Sequence, residues 1–279
     1  SALDERNHSL FHSLTQKVVN RILEIELQRG DSETQVTRLA EELHRVYGAE
    51  TLIRILQAFG KDTFIRDSYN WRNTKRGVLS SLLHACYPSP DDDSDTLKSL
   101  ASQADISHIR LVEAAMFAPQ WLELTEEATG WKGLESAAYY FHAHTSECFD
   151  DKKKAIIARY TPIAIEDLQE GAFDIDWFKE AYKTIGKERF EVVYNAAKYI
   201  SLSNTHTRAR KFADAVNGKT KAADAKKEII AKRNKDLLMS YGLIPLGRKA
   251  DKELLERYQF LQKFLKESKE FGAQRQESE

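Results

Sequence analysis

The sequence is poor in the residues that form turns, with only 12 glycines and 5 prolines in 279 residues. An all-β or α/β protein of this length needs many tight turns, which glycine and proline form most readily. A hydrophobic content of 42% is enough for one large core or two smaller ones. Because turn-formers are few, the sequence predicts an all-α fold with long helices and few connections.

Cysteine and long apolar runs are also scarce. Cys86 and Cys148 are too few for a disulfide framework. The sequence opens with no recognisable signal peptide, and no apolar run approaches the roughly 20 residues that span a bilayer. We therefore expect a cytoplasmic protein in a reducing environment that does not insert into a membrane.

The chain has no excess charge of either sign, since 42 basic and 43 acidic residues leave a formal net charge of -1. It therefore lacks a global field that would attract nucleic acid or an anionic membrane, and such binding would need a local patch. Neither GxxxxGK[ST] nor a GxGxxG turn that opens a helix is present, so nucleotide chemistry of either common type is unsupported. No cofactor is predicted.

Apolar residues spaced by three and four predict successive helices. The first covers residues 10–27, and Ser32 is the predicted cap of a second over residues 33–47. Further units of this kind predict paired antiparallel helices, arranged as an irregular bundle or a short α-solenoid.

The run PSPDDDSD, residues 88–95, combines two prolines with four aspartates. This composition favours a solvated linker or a cap on the following helix. We predict an N-terminal helical subdomain over residues 1–90, an acidic linker over 91–95 and a C-terminal helical domain over 96–279. The aspartates are calcium-ligand types, but the glycine and distal glutamate of an EF-hand loop are missing.

Possible metal or acid/base chemistry is concentrated in His142, His144, Glu147 and Cys148. At helical pitch the two histidines lie about 200° apart and cannot bind one ion together unless the helix breaks. His144 with Glu147 or Cys148 is sterically better, although His84 or His108 would have to supply a third ligand. The competing interpretation is a buried histidine that is hydrogen-bonded to a neighbouring helix. Cys148 lacks any nucleophile signature.

The one basic segment spans residues 204–236, with ten basic against four acidic residues. It matches no helix-turn-helix or zinc pattern, and Phe212 is its only aromatic residue, so sequence-specific readout is unsupported. The alternatives are a solvated helical hairpin, non-specific phosphate contact and membrane-surface contact. The candidate nucleic-acid contacts are Arg208, Arg210, Lys211, Lys226, Lys227, Lys232 and Arg233.

The last predicted helix is amphipathic, and its charged residues lie opposite one apolar side. That side consists of Leu254, Leu255, Tyr258, Leu261, Phe264, Leu265 and Phe271. The sequence stops soon after this helix without a closing element, and Ser1-Ala2 is typical of a cloning remnant. We interpret the chain as a fragment of a larger protein. The helix is then either a simple terminal amphipathic helix or one whose partner helix lies outside the fragment.

Two phrases carry a family resemblance: ERYQFLQKFLKESKEFGAQRQESE, residues 256–279, and APQWLELTEEATGWKGLESAAYYFHAHT, residues 118–145. They resemble large bacterial proteins described as like the molybdate-metabolism regulator, which carry domains of unknown function and, in some members, a WGR domain. The resemblance extends from about residue 106 to the end of the chain. It implies an internal, mostly helical fragment in a regulatory or nucleic-acid-linked context, and it assigns no catalytic residue.

Three functional hypotheses follow. The first is a non-catalytic scaffold or protein-interaction module, whose partners are protein chains or other domains of the same chain. The second is non-specific nucleic-acid binding through the basic segment. The third is a metal-dependent or acid/base enzyme at residues 142–148.

Overall fold

The computed structural model of the chain describes residues 2–66, 71–145, 149–201 and 205–278. Within these ranges the structure is helical apart from one pair of two-residue strands, so the all-α prediction is confirmed. The chain folds into two compact, bundle-like units. Unit 1 comprises residues 1–139 and 181–204, and unit 2 comprises residues 140–180 and 205–279. The predicted domain division at residues 91–95 stays a prediction.

The first eight helices of the described residues lie between positions 2 and 143. They are α1 (Ala2–Leu27), α2 (Thr37–Glu41), α3 (Ala49–Phe59), α4 (Lys75–His84), α5 (Ser94–Gln103), α6 (His108–Phe117), α7 (Leu122–Thr129) and α8 (Leu134–Ala143). Two short strands, β1 (Val46–Tyr47) and β2 (Cys86–Tyr87), pair in parallel.

Nine further helices follow in the described ranges 149–201 and 205–278. They are α9 (Asp151–Ile157), α10 (Ile165–Glu170), α11 (Ile175–Ile185), α12 (Lys187–Ala196), α13 (His206–Val216), α14 (Ala222–Lys232), α15 (Lys235–Leu243), α16 (Ala250–Ser268) and α17 (Ala273–Ser278). Single 3-10 turns cover Pro119–Trp121, Ala197–Tyr199 and Lys269–Phe271. No helix in the described part of the chain combines the length and the apolar content needed to cross a bilayer.

Residues 33–47 do not form the single helix that Ser32 was expected to cap. They form the short α2 and then β1, in which Val46 lies opposite Cys86 of β2. The Val46 N–H donates to the Ala85 carbonyl at 2.9 Å, and the Gly48 N–H donates to the Tyr87 carbonyl at 3.0 Å. A buried Val46 side chain and these long-range backbone bonds outweigh the local helical pattern.

The aspartate run caps two helices of unit 1. The Asp92 carboxylate accepts hydrogen bonds from the backbone N–H groups of Ala49, at 2.9 Å, and Ser89, at 2.7 Å, so it satisfies the first residue of α3. Asp93 accepts from the Thr96 N–H at 2.7 Å and caps α5. Hydrogen bonds from the backbone and the side chain of Thr96 lower the pKa of the exposed Asp93 carboxyl below its usual value. Asp93 is therefore a cap on the following helix, one of the two roles that the composition suggested, whereas Asp92 bonds to α3, which precedes the run.

Phe64 lies at the centre of an aromatic cluster in unit 1. Its ring centroid is 4.9 Å from that of Phe59, 5.0 Å from that of Tyr199 and 5.5 Å from that of Phe117. The Arg110 guanidinium covers the same ring at 4.1 Å. This cluster joins α3 and α6 to the 3-10 turn after α12, so residues far apart in sequence share one core.

Unit 2 has a core that is assembled mainly from α13, α14, α15 and α16. Its buried members are Ala215, Ala225, Ile229, Leu237, Leu238, Tyr241, Ile244, Phe260 and Phe264. Of these members, Phe260 and Phe264 come from α16, and the Tyr241 and Phe260 rings meet edge to face at 5.4 Å. Because only these two apolar side chains of α16 are fully buried in this core, other apolar side chains of the helix are left exposed.

Candidate functional site

His144, just after α8, lies fully inside unit 2 within a group of aromatic rings. Its ring centroid is 4.8 Å from that of Tyr140, 5.5 Å from that of Phe173 and 5.7 Å from that of Phe212. His144 Nδ1 lies 2.7 Å from the Tyr140 carbonyl oxygen. Because a carbonyl only accepts, Nδ1 carries the proton in the neutral ring.

Burial lowers the pKa of His144 to about 4, and the Arg208 charge acts in the same direction. The carbonyls of Tyr140 and Ala172 oppose this shift. Nε2 is buried and makes no hydrogen bond of ordinary length and angle to any of the described residues. His144 is therefore neutral near pH 7, packed as an aromatic residue and enclosed by apolar rings.

The described residues of the predicted 142–148 cluster do not form a set of metal ligands with His144. His142 is buried, and its carbonyl accepts from the Thr145 hydroxyl at 2.8 Å. Glu147 and Cys148 lie outside the described residues. Among the residues that are described, no group of three or more His, Cys, Asp or Glu side chains is placed to hold a metal. The possible additional ligands His84 and His108 belong to unit 1.

Two members of the basic segment converge on one acidic side chain in unit 2. Arg208 Nε lies 2.8 Å from Asp236 Oδ1, and Lys211 Nζ lies 3.7 Å from Asp236 Oδ2. Arg208 also donates to the Gln169 carbonyl. These contacts link α13 to the first turn of α15 and to α10, so they have a structural role.

Other basic residues of the segment lie against aromatic rings or a nearby acid. The Arg233 guanidinium is 4.0 Å from the Phe264 ring centroid and 4.2 Å from that of Phe271. Lys226 lies 5.0 Å from the Phe260 ring, and Lys232 pairs with Glu228 at 2.6 Å. Lys227 is exposed and Arg210 is half-buried. Nucleic-acid contact through this segment stays a prediction, and Arg208 and Arg233 also support the fold of unit 2.

An exposed apolar surface lies on α16. Four of its large apolar side chains, Leu254, Leu255, Tyr258 and Leu265, are between 41% and 59% exposed. At the helical pitch they lie within about 100° of arc. This arc adjoins the sector from which Phe260 and Phe264 enter the core, and Leu261, half-buried, lies at the border. We refer to the four exposed residues as the α16 face.

A similar surface occurs on α1 in unit 1. Leu10, Phe11, Leu14 and Val18, here called the α1 face, are between 52% and 73% exposed. They also share about 100° of arc. The arc continues into the sector that carries the buried Ile22 further along the helix. The buried apolar side chains described on α1 lie in its carboxyl-terminal part, so the α1 face lies beyond the packed part of the helix.

The sequence pattern identified the apolar residues of both helices but could not separate the buried ones from the exposed ones. On α16 it grouped Leu254, Tyr258 and Leu265 with the buried Phe264, and it missed Phe260. The signal that could have separated them was the width of the apolar sector, which is about 200° on each helix. A helix with one buried side needs a stripe of about 100°. On α1 and α16 the sector is about twice as wide, so one buried side accounts for only about half of it.

A family model described as "Family of unknown function (DUF5724)" matches residues 2–279. The chain belongs to this family. The match agrees with the resemblance to proteins that carry domains of unknown function, and it gives no support to a likeness with the molybdate-metabolism regulator. No curated protein and no solved structure matches the chain.

Proposed function

We propose that this chain is a non-catalytic helical scaffold or protein-interaction module that binds other protein surfaces through the faces of two of its helices. One observation carries the proposal: α1 and α16 each have a contiguous apolar face that the core of their own unit does not cover. Single exposed leucines are common on proteins, whereas contiguous apolar patches usually mark interaction sites.

The two faces are suited to helix-in-groove or helix-on-helix recognition. In such complexes an amphipathic helix presents anchors at spacings of three, four and seven residues. Leu10, Leu14 and Val18 on α1 follow a spacing of four, and Leu254, Tyr258 and Leu265 on α16 follow spacings of four and seven. Exposed charged residues such as Lys252, Glu256 and Lys266 lie on the side of α16 away from the core and would form a polar rim along one edge of an interface.

The proposal also covers the cellular location of the module and the larger chain to which it belongs. We place the module in the bacterial cytoplasm, within a larger chain that has a regulatory role, and without a cofactor. The regulatory part rests only on the resemblance of residues 118–145 and 256–279 to proteins like the molybdate-metabolism regulator. Its partners would be protein chains or other domains of the larger chain.

Affinity capture from a bacterial lysate tests the interaction role. The tagged chain is compared with an α1-face variant (Leu10→Ser, Phe11→Ser, Leu14→Ser) and an α16-face variant (Leu254→Ser, Leu255→Ser, Leu265→Ser). We expect at least one variant to lose specific proteins, as measured by quantitative mass spectrometry. Since the substituted side chains are exposed, circular dichroism should show unchanged helix content.

Controls with the same number of substitutions change the polar sides of the same helices: Ser13→Ala, Gln16→Ser and Asn20→Ser on α1, and Lys252→Ser, Glu256→Ser and Lys263→Ser on α16. These controls should retain all captured proteins. If both face variants capture the same proteins as the unchanged chain, the proposed interaction role is wrong.

A further inference from the structure

The α16 face is complementary to itself. Three residues of the face and the half-buried Leu261 follow the alternating four- and three-residue spacing of a coiled coil. We refer to these four residues, Leu254, Tyr258, Leu261 and Leu265, as the seam. This order reads nearly the same from either end, because leucines occupy both outer positions and large side chains occupy both inner ones. Such a seam can pair with an identical seam that runs in the opposite direction.

We propose that the α16 face binds the α16 face of a second copy of this chain, with the two helices antiparallel around a twofold axis. The inference rests on the proposed function, since it names the occupant of one of the two exposed faces. Twofold pairing is the commonest symmetry of protein oligomers, and each contact in it occurs twice. Leu254 then lies opposite Leu265 of the second copy, and Tyr258 lies opposite Leu261.

The charges on the seam side of α16 favour the antiparallel direction. At the helical pitch, Asp251 and the exposed Lys269 both lie on this side, Asp251 at the amino-terminal end and Lys269 at the carboxyl-terminal end, whereas Lys252, Glu267 and Glu270 lie on the far side. Antiparallel pairing brings Asp251 of one copy to the lysine end of the other, whereas parallel pairing brings like charges together. The helix macrodipoles also oppose each other favourably only in the antiparallel pair.

The interface between the two α16 helices is small, so we expect the dimer to be weak. One face of a 19-residue helix is an interface at the low end of the range for specific complexes. We therefore expect a reversible dimer with a Kd on the order of micromolar. Sedimentation equilibrium of the purified chain should show a monomer at low concentration and a dimer at high concentration. The variant Leu254→Ser with Leu265→Ser should raise the Kd roughly tenfold or more.

Cysteine cross-linking tests the direction of the helices. In a background with Cys86→Ala and Cys148→Ser, one sample carries Leu254→Cys and a second carries Leu265→Cys. In the antiparallel pair, each new cysteine lies about 17 Å along the helix axis from the identical cysteine of the second copy. This distance is too long for a disulfide. Each sample alone should stay uncross-linked, whereas the mixture of the two should form a disulfide-linked dimer under mild oxidation.

A matched control uses Lys252→Cys mixed with Lys263→Cys. These exposed positions have the same separation of 11 residues on the opposite side of α16, and their mixture should not cross-link. If the Leu254→Cys or Leu265→Cys samples cross-link alone and their mixture gains nothing, the pairing is parallel and the inference is wrong. A chain that stays monomeric at several hundred micromolar also overturns it.

The outcomes separate this inference from the proposed function. A chain that is monomeric at every concentration, but loses captured proteins when the α16 face is changed, refutes the second copy as occupant and retains the interaction module. A chain that dimerises as described, while its captured proteins depend on neither face, supports the dimer and refutes the wider interaction role.

Discussion

Glu26 and Arg29 form an ion pair that is completely enclosed. Arg29 Nη1 lies 3.0 Å from Glu26 Oε2, and neither side chain is exposed. The Thr37 hydroxyl donates to Glu26 Oε1 at 2.8 Å, and Arg29 Nη2 donates to the Asn73 carbonyl at 2.9 Å. The pair therefore joins the end of α1 to α2 and to the segment before α4. It fixes the helix from which the α1 face extends.

Removing one partner of this pair should destabilise the protein strongly. Arg29→Met leaves the Glu26 carboxylate buried without its cation, and losses of this kind cost about 3–5 kcal/mol in the free energy of unfolding. The double variant Glu26→Leu with Arg29→Met should recover much of the loss, because no buried charge remains. Urea unfolding followed by circular dichroism measures both.

The matched control is Arg21→Met, which removes an ion pair with the same three-residue spacing within α1. Arg21 and Glu24 are 71% and 49% exposed, so the expected change is below about 1 kcal/mol. Equal losses for Arg21→Met and Arg29→Met would show that burial of the Glu26 pair is not what stabilises this region.

His144 should make stability depend on pH. The pKa of His144 is about 4 in the folded protein and about 6.5 in an unfolded chain, so the unfolded state binds the proton more readily. The stabilisation that the neutral His144 contributes to the folded state is fully present above pH 6.5, and it is lost as the pH falls towards 4. This difference corresponds to about 3 kcal/mol in the free energy of unfolding.

His144→Phe tests this contribution, since phenylalanine fills the same aromatic surroundings and does not titrate. The variant should lose less stability than the unchanged chain between pH 6.5 and 4, as measured by chemical unfolding at a series of pH values. His44→Gln changes an exposed histidine and serves as the control. An unchanged pH profile for His144→Phe would contradict the assignment.

Two glycines within helices should respond to alanine in opposite directions. A Cβ at Gly77 would lie 2.1 Å from the Trp71 carbonyl oxygen, whereas a Cβ at Gly242 would meet nothing within 4 Å. We expect Gly77→Ala to destabilise the chain by about 1–3 kcal/mol. Gly242→Ala should stabilise it by up to about 1 kcal/mol, because alanine favours the helix. Thermal unfolding measures both, and a stabilising Gly77→Ala would show that the contact is not tight.

Asp92 should contribute more to stability than its neighbour Asp91. Asp92 accepts two backbone hydrogen bonds, from Ala49 and Ser89, and Asp91 is exposed. Asp92→Ala should cost about 1–2 kcal/mol, as for the loss of a helix cap, whereas Asp91→Ala should stay within about 0.5 kcal/mol. Similar urea midpoints for the two variants would contradict a capping role for Asp92.

Local signals predicted the helices well where the apolar period was long. The apolar period over residues 10–27 lies in α1, and the apolar residues predicted from Leu254 to Leu265 lie in α16. The prediction was wrong over residues 33–47, where the pairing of Val46 with the distant Cys86 replaces the helix. That pairing has no local signal, since its partner is 40 residues away in sequence.

The sequence by itself determined the all-α class and the apolar sectors of α1 and α16, because turn content and helical period are local properties. Only the tertiary structure decided which part of each sector is buried. It also decided that Glu26 and Arg29 lie in the interior and that Arg208 and Lys211 share Asp236. These outcomes depend on which distant segments meet, since burial and ion pairing are properties of the assembled core. The spacing of residues along one helix does not contain that information.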